Sequence, residues 1–359
     1  MKPRPESVLQ LTIVDIAFGG KGVARHEGKV YFVPWTLPGE VVTVRVLRQK
    51  KNFAEAEVLS VDVPSADRVE PPCPYFGRCG GCAYQHISAP RQLEIKAQQV
   101  EQTLRRVGRL AEVPMEPLIP SPQMFGYRNR IRVHVEGGRA GFYAQGSHSL
   151  VDVEQCAIAR PEVNQSLRRL RAAALQEGDY SLRAPGGGGP FFEQTNEAVA
   201  RALVELAERK VLRGQRVLVD AFCGAGLFAK HLAPLFEKVI GIEENSHAVE
   251  SAKNTATPRE TYLCGDVGEH LGATLAAHDA DSTTVVLDPP ALGLTQQIID
   301  ALLAGRPREV VYVSCNPATL ARDLAALCGS YKLESVTPLD MFPQTADIEV
   351  LAHLRRAAP

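Results

Sequence analysis

Cys315 closes the run EVVYVSCNP, in which β-forming apolar residues stop at an Asn-Pro turn. A thiol at the carboxyl end of such a strand stands where open α/β sheets bind their ligands, so a nucleophile competes here with a buried, inert cysteine. Glu349 ends the segment DMFPQTADIE and opens the strand-like VLAHLRR. If that last strand runs antiparallel to its neighbours, Glu349 reaches the same edge as Cys315 and can serve as a base; a solvated carboxylate is the plainer reading. A third cluster lies in CPYFGRCGGC, where Cys73, Cys79 and Cys82 fall within ten residues and glycines let the loop wrap a ligand. Cys156 is a candidate fourth thiol. Four thiolates suit tetrahedral zinc or an iron-sulfur cluster, and spacing leaves the two open, although the loop lacks paired CxxC knuckles.

The segment VLVDAFCGAGLFAKHLA joins a buried strand ending in Asp220, a turn with Gly224 and Gly226, and a helix. Glycines there let the backbone approach a ligand closely. Glu243 ends the next strand, where a carboxylate can accept hydrogen bonds from both ribose hydroxyls, and Asp266, after the third strand, would lie near an adenine. The turn lacks both the GxGxxG fingerprint and a P-loop lysine, which disfavours a pyrophosphate or triphosphate ligand. It resembles the cofactor turn of class I methyltransferases, whose S-adenosylmethionine has no phosphate to cradle. The fourth strand ends in Asp288-Pro289-Pro290, an acid followed by a stiff exit from the sheet.

Beside such a cofactor a strand-end cysteine has a specific use. Uracil C5 is a poor nucleophile until a thiolate adds to C6; the resulting enolate takes the methyl group, a base removes the C5 proton, and the thiolate leaves. Cys315 and Glu349 are the minimum set for that sequence. An amino methyltransferase is the competing reading of Asp288-Pro289-Pro290, but Ala291 follows where an aromatic residue would stack on a flipped base.

The elements that must hold these residues follow from periodicity. Between Ser7 and Val63, short alternating apolar runs separated by Gly, Pro and charged turns predict a small OB-like antiparallel barrel, a fold that often carries single-stranded nucleic acid. Arg45, Arg48, Lys50 and Lys51 form a basic turn in it. Residues Pro64 to Pro72 read as a linker, and PRQLEIKAQQVEQTLRRV as an amphipathic helix. Strand-like alternation returns over residues 125 to 155, and Gly186 to Gly189 read as a flexible joint. Beyond it, a helix capped by Asn196 precedes the strands VLVDA, KVIGIE, TYLCGD, TVVLD and EVVYVS with helices between, which predicts a mainly parallel doubly wound sheet. The expected division is 1–64, 65–190 and 191–359.

A chain of 359 residues fits more than one domain, and its hydrophobic content of 45% is ordinary for a soluble protein. No apolar run approaches the roughly 18 residues of a membrane helix and no leader is evident, so a cytoplasmic location is expected. The net charge of -1 hides an asymmetry: residues 1–135 hold 19 Lys and Arg against 13 Asp and Glu. A basic amino-terminal part can attract a phosphate backbone, or simply be solvated. Eight cysteines in that compartment argue for ligands, nucleophiles or packing rather than disulfides.

Taken together, the barrel, CPYFGRCGGCAYQH, YRNRIRVHV, GSHSLVDVEQC, FEQTN, DAFCGAG, DPP, SCNP and MFPQTADIE resemble, nearly end to end, the RNA uracil-C5 methyltransferases that carry a TRAM domain and a [4Fe-4S] cluster. The resemblance implies a Rossmann-like class I α/β domain, an OB-like TRAM barrel and a central cluster-binding α+β domain. It implies cluster ligands Cys73, Cys79, Cys82 and Cys156, and cofactor contacts from Gln194, Phe222, Glu243, Asp266 and Asp288 beside the Gly224 and Gly226 turn. Cys315 becomes the nucleophile and Glu349 the proton acceptor. The implied partner is RNA, ribosomal by analogy with members that keep barrel and cluster, acted on by a monomer; transfer RNA and a non-catalytic RNA-binding protein are the alternatives. Leu227, Ala291, Gln344 and Asp347 depart from common family residues, and Cys223, Cys264 and Cys328 read as packing residues.

Overall fold

A computed structural model describes residues 7–173, 176–185 and 194–357. The Gly186–Gly189 joint, the expected boundary after residue 190 and the first two residues of FEQTN lie outside the described residues. The chain forms two compact units. One comprises residues 1–99, 123–185 and 342–347; the other comprises 100–122, 186–341 and 348–359.

In the first unit, β1 (Val8–Ile16), β2 (Lys21–His26), β3 (Lys29–Pro34), β4 (Val41–Gln49) and β5 (Phe53–Val63) close into a barrel of order β1-β2-β3-β5-β4. Alternation does the sorting: Leu11, Ile13, Tyr31, Val33, Val42, Val44, Ala54 and Ala56 point inward. The expected linker is anchored rather than loose. Arg68 donates to both carboxylate oxygens of the buried Glu40, at 2.6 and 2.8 Å, and to the Trp35 carbonyl at 2.9 Å. The cysteine loop follows, then α1 (Ala89–Arg106).

A four-stranded antiparallel sheet of order β8-β7-β6-β9 completes this unit, built from β6 (Arg130–Glu136), β7 (Arg139–Tyr143), β8 (Leu150–Asp152) and β9 (Gly178–Arg183). Helix α2 (Pro161–Ala172) lays Val163 and Leu167 on Ile131, Val133 and Val135. Neither α2 nor β9 was legible as a periodic pattern in the sequence.

The second unit is doubly wound. In chain order it contains α3 (Glu197–Lys210), β10 (Val217–Ala221), α4 (Leu227–Leu232), β11 (Lys238–Glu243), α5 (Ser246–Asn254), β12 (Glu260–Cys264), α6 (Val267–Ala276), β13 (Thr283–Leu287), α7 (Gln296–Gly305), β14 (Glu309–Ser314), α8 (Pro317–Leu327), β15 (Tyr331–Leu339) and β16 (Glu349–Arg356). The sheet order is β12-β11-β10-β13-β14-β16-β15. The first five are parallel; β16 is antiparallel to both β14 and β15. Strands β10, β13 and β14 are buried at every position, as continuous apolar runs covered on both faces must be. Order reverses where β10 lies between β11 and β13, and the carboxyl ends at such a point are where open α/β sheets bind their ligands. Asn196 caps α3 as expected, accepting from the Val199 amide at 3.3 Å. Residues Met115 and Ile119 add parallel bridges to Val336 and Leu339, an edge that the sequence pattern did not announce.

Candidate active site at the carboxyl edge of the sheet

The second unit brings most of the expected site residues to one sheet edge. Phe222, Gly224 and Gly226 follow β10, Glu243 ends β11, Asp266 follows β12, Asp288 follows β13, Cys315 follows β14, and Glu349 begins β16. Because β16 runs antiparallel, its first residue lands where the parallel strands end. Gln194 lies apart from that row of strand ends in sequence, two residues before the α3 cap.

The turn after β10 is built for close approach. Phe222 takes a left-handed backbone, φ 65°, while its amide and that of Cys223 both donate to the Ile242 carbonyl, at 2.9 and 3.1 Å. Gly226 caps α4 at φ 88°, and a Cβ there would stand 2.8 Å from the Tyr262 hydroxyl. The carboxylate of Glu243 accepts the Gly224 amide at 3.0 Å and the Asn245 amide at 2.8 Å. On the adjoining strand, the Gly265 amide donates to the Glu243 carbonyl at 3.0 Å, so Asp266 stands beside it; Asp266 also caps α6 through the Glu269 amide at 3.1 Å.

Four acids give this edge its electrostatic character. Asp220 is fully buried; one carboxylate oxygen accepts from the Ala229 amide at 2.8 Å, and the other meets no hydrogen-bond donor among the described residues. Burial pushes the Asp220 carboxyl up to about 8; the Ala229 amide opposes that, while the charges of Asp288 and Glu243 add to it. Glu349 is buried too, and both burial and the charge of Asp288 hold its carboxyl well above the usual range. Burial likewise raises Asp288. A cationic ligand beside these carboxyls would favour their charged forms, and one Asp220 oxygen is left to accept from it. S-adenosylmethionine, with its sulfonium and ammonium groups, fits that charge and the absence of a phosphate cradle.

Side chains at the start of α8 lock the loop after Asp288 to the neighbours of Cys315, a feature the sequence reading missed. Asn316 caps α8 and its Nδ2 donates to the Ala291 carbonyl at 3.0 Å; the Thr319 hydroxyl donates to the same carbonyl at 3.1 Å. An Asn at a strand-to-helix turn was the available signal, but it named a cap and no loop partner.

In the first unit the four candidate cluster thiols share one neighbourhood. Burial pushes Cys79 up to about 11 and Cys82 up to about 12; it raises Cys156 as well, and mutual charge among the four adds to these shifts. The Gly81 amide points at the Cys79 sulfur from 3.4 Å, and the Cys156 amide is held by Asn164 Oδ1 at 2.8 Å. Among the described residues, no three His, Cys, Asp or Glu side chains converge closely enough to hold a metal ion as they stand. The donor set, four half-buried cysteines in one neighbourhood, nonetheless suits a thiolate-ligated centre.

The departures have structural explanations in part. Gln344, left-handed at φ 69°, is buried in the first unit: it exchanges hydrogen bonds with the Gln92 side chain, and its carbonyl accepts the amides of Ala83 and Tyr84 at 3.0 and 2.9 Å. Asp347 is exposed. Cys223 is buried as expected, whereas Cys264 is exposed at the end of an edge strand, which corrects its reading as a packing residue.

Comparison with known proteins agrees with this fold. A model of the TRAM domain matches residues 5–59, one of tRNA (uracil-5-)-methyltransferase matches residues 272–357, and one of RNA cap guanine-N2 methyltransferase matches residues 215–297. A relative from Bdellovibrio bacteriovorus, described as an uncharacterized RNA methyltransferase, is 36% identical across 97% of this chain and 95% of its own length. Another, from Protochlamydia amoebophila and described in the same words, is 31% identical across 96% of each. The solved structure of the Pyrococcus abyssi tRNA (uracil-54, C5)-methyltransferase, in complex with S-adenosyl-L-homocysteine, covers 96% of this chain and 99% of its own at 24% identity and a TM-score of 0.73, a likeness of fold.

Fold and site define an S-adenosylmethionine-dependent RNA methyltransferase of class I with an amino-terminal TRAM barrel. More particularly, the chain belongs to the family of RNA methyltransferases that these two relatives represent. No helix among the described residues is long and apolar enough to cross a membrane.

Proposed function

We propose that this enzyme methylates C5 of a uridine in RNA, with Cys315 as nucleophile and Glu349 as base. The observation that carries the reading is the antiparallel pairing of β14 and β16, which brings a strand-end thiol and a buried carboxyl to one edge. S-adenosylmethionine, when bound, supplies the methyl group. In the proposed sequence the Cys315 thiolate adds to C6, breaking the C5–C6 double bond and leaving an enolate whose C5 takes the methyl. Glu349 then accepts the C5 proton, and the returning electron pair re-forms the double bond as the sulfur leaves. A carboxyl raised by burial is better matched to that proton than an exposed one. Gln194, Phe222, Gly224, Gly226, Glu243, Asp266 and Asp288 are assigned to the cofactor; the free acceptor of Asp220 supports a cationic one.

We further propose that Cys73, Cys79, Cys82 and Cys156 hold a [4Fe-4S] cluster. The nearness of four half-buried thiols and the amide aimed at Cys79 support it; the cluster would brace this loop and take no part in methyl transfer. Functionally, 1–64 is the RNA-binding barrel, 65–190 the cluster domain and 191–359 the catalytic domain of a cytoplasmic monomer.

Ribosomal RNA is the target proposed, on the pairing of TRAM barrel and cysteine loop. Transfer RNA is the second reading, favoured by the name of the matching family model. Ribosomal and transfer RNA should be incubated separately with deuterated-methyl cofactor and the purified enzyme or Cys315→Ala. Labelled 5-methyluridine in ribosomal RNA, absent with the variant, is the expected result; label in transfer RNA alone moves the target, and methyladenosine or an active variant overturns the chemistry.

A further inference from the structure

Leu292 is the most exposed of the large hydrophobic residues described, at 83%. It stands at the tip of the loop that follows Asp288. Isolated exposed leucines are common and need no explanation, but the way this one is held is not that of a free loop. The Ala291 carbonyl on its amino side is taken by Asn316 and Thr319. Its own carbonyl accepts from Arg322 Nη2 at 3.0 Å, and the Leu294 carbonyl from the same nitrogen at 3.1 Å. Asp323, wholly buried, accepts from the Leu294 amide at 2.8 Å, the Tyr312 hydroxyl at 2.7 Å and Arg322 Nε at 2.8 Å.

Gly293 makes the turn possible. Its φ is 74°, and a Cβ there would lie 2.5 Å from the Asp323 carboxylate. All these partners flank Cys315: Tyr312 precedes it on β14, and Asn316 to Asp323 follow it in α8. The backbone that presents this side chain is therefore fixed at the rim of the site by the same elements that carry Cys315. Exposed Thr295, Gln296 and Gln297 lie next to it in sequence, uncharged groups that do not repel a phosphate backbone. One rigid leucine is too small a surface for a protein partner, but it matches the gap left by one base.

We propose that Leu292 is a wedge: it enters the RNA base stack in place of the target uridine as that base turns out towards Cys315. The inference rests on the uridine reading and adds the element that offsets the lost stacking. An apolar side chain inserted between bases replaces contacts that would otherwise be surrendered to water.

The test uses two RNAs containing the mapped uridine, a structured hairpin with 2-aminopurine beside that base and a short unstructured single strand. Leu292→Ala is expected to lower the ratio of kcat/KM on hairpin to kcat/KM on single strand about tenfold, and to abolish the rise in 2-aminopurine fluorescence on binding. Leu292→Met should restore both. An equal loss on the two RNAs, no loss on the hairpin, or a preserved fluorescence rise overturns the wedge. Should the wild type form no 5-methyluridine on either RNA, the uridine reading fails and the wedge falls with it.

Discussion

Cys315 and Glu349 are each the next residue beyond the last pair of the β14–β16 ladder, in which Ser314 faces Val350, so both lie at the same end of that ladder. A thiol and a carboxyl so related can address one pyrimidine ring, which makes their two variants separable in behaviour.

Cys315→Ala is expected to abolish both turnover and any covalent complex with RNA. With Glu349→Gln, Cys315 should still add to C6 and C5 still take the methyl, but the C5 proton is not removed and the Cys315–C6 bond persists, lowering kcat by about 100- to 10,000-fold. Denaturing gels of labelled RNA check this: a retarded protein–RNA band should accumulate with Glu349→Gln and be missing with Cys315→Ala. Absence of the band with Glu349→Gln removes this residue as the base.

Asp220 makes the ligand-free protein sensitive to pH in an unusual direction. Its carboxyl is raised to about 8 in the fold, so the folded state holds a proton that the unfolded state releases at an ordinary carboxylate pKa. Stability from this group is fully present below about pH 4 and is lost as pH rises towards 8. Thermal unfolding should show the wild type losing stability across this range, by at most about 1.4 kcal/mol per pH unit from this group. Asp220→Asn should flatten the slope and weaken cofactor binding; an unchanged slope refutes the assignment.

Arg68 and Glu40 form a buried, forked ion pair at the end of the barrel. Burial pushes the Glu40 carboxyl up, but Arg68 and the Leu37 and Ser65 amides outweigh it and leave the group below its usual range. Arg68→Met strands that carboxylate and is expected to cost about 3–5 kcal/mol. Denaturant unfolding measures it, and the loss should shrink on acidification as Glu40 takes up a proton.

Cluster ligation predicts iron and acid-labile sulfide in anaerobically purified protein, with visible absorption that Cys82→Ser removes. Chelation of the iron should increase proteolysis within residues 73–86 and leave S-adenosylhomocysteine binding unchanged. Zinc in place of iron would retain four thiolate ligands and overturn the cluster.

The sequence by itself determined much of this protein, because the evidence was local. Alternation marked the barrel, continuous apolar runs marked β10, β13 and β14, and glycines, Asn-Pro and Asp-Pro-Pro marked the strand exits where chemistry gathers. Such features depend on neighbours a few residues away, and a reader of the chain has them in view. What the tertiary structure decided was pairing across long separations. The direction of β16, and with it the arrival of Glu349 at the sheet edge that carries Cys315, depends on a ladder between residues 36 to 46 apart. Arg68 on Glu40, Gln92 on Gln344 and the α8 side chains on the loop of Leu292 are likewise invisible as patterns, since hydrogen bonding between distant residues leaves no period in the sequence. The raised carboxyls belong with them: burial, not residue type, sets their protonation, and burial exists only once the chain has folded.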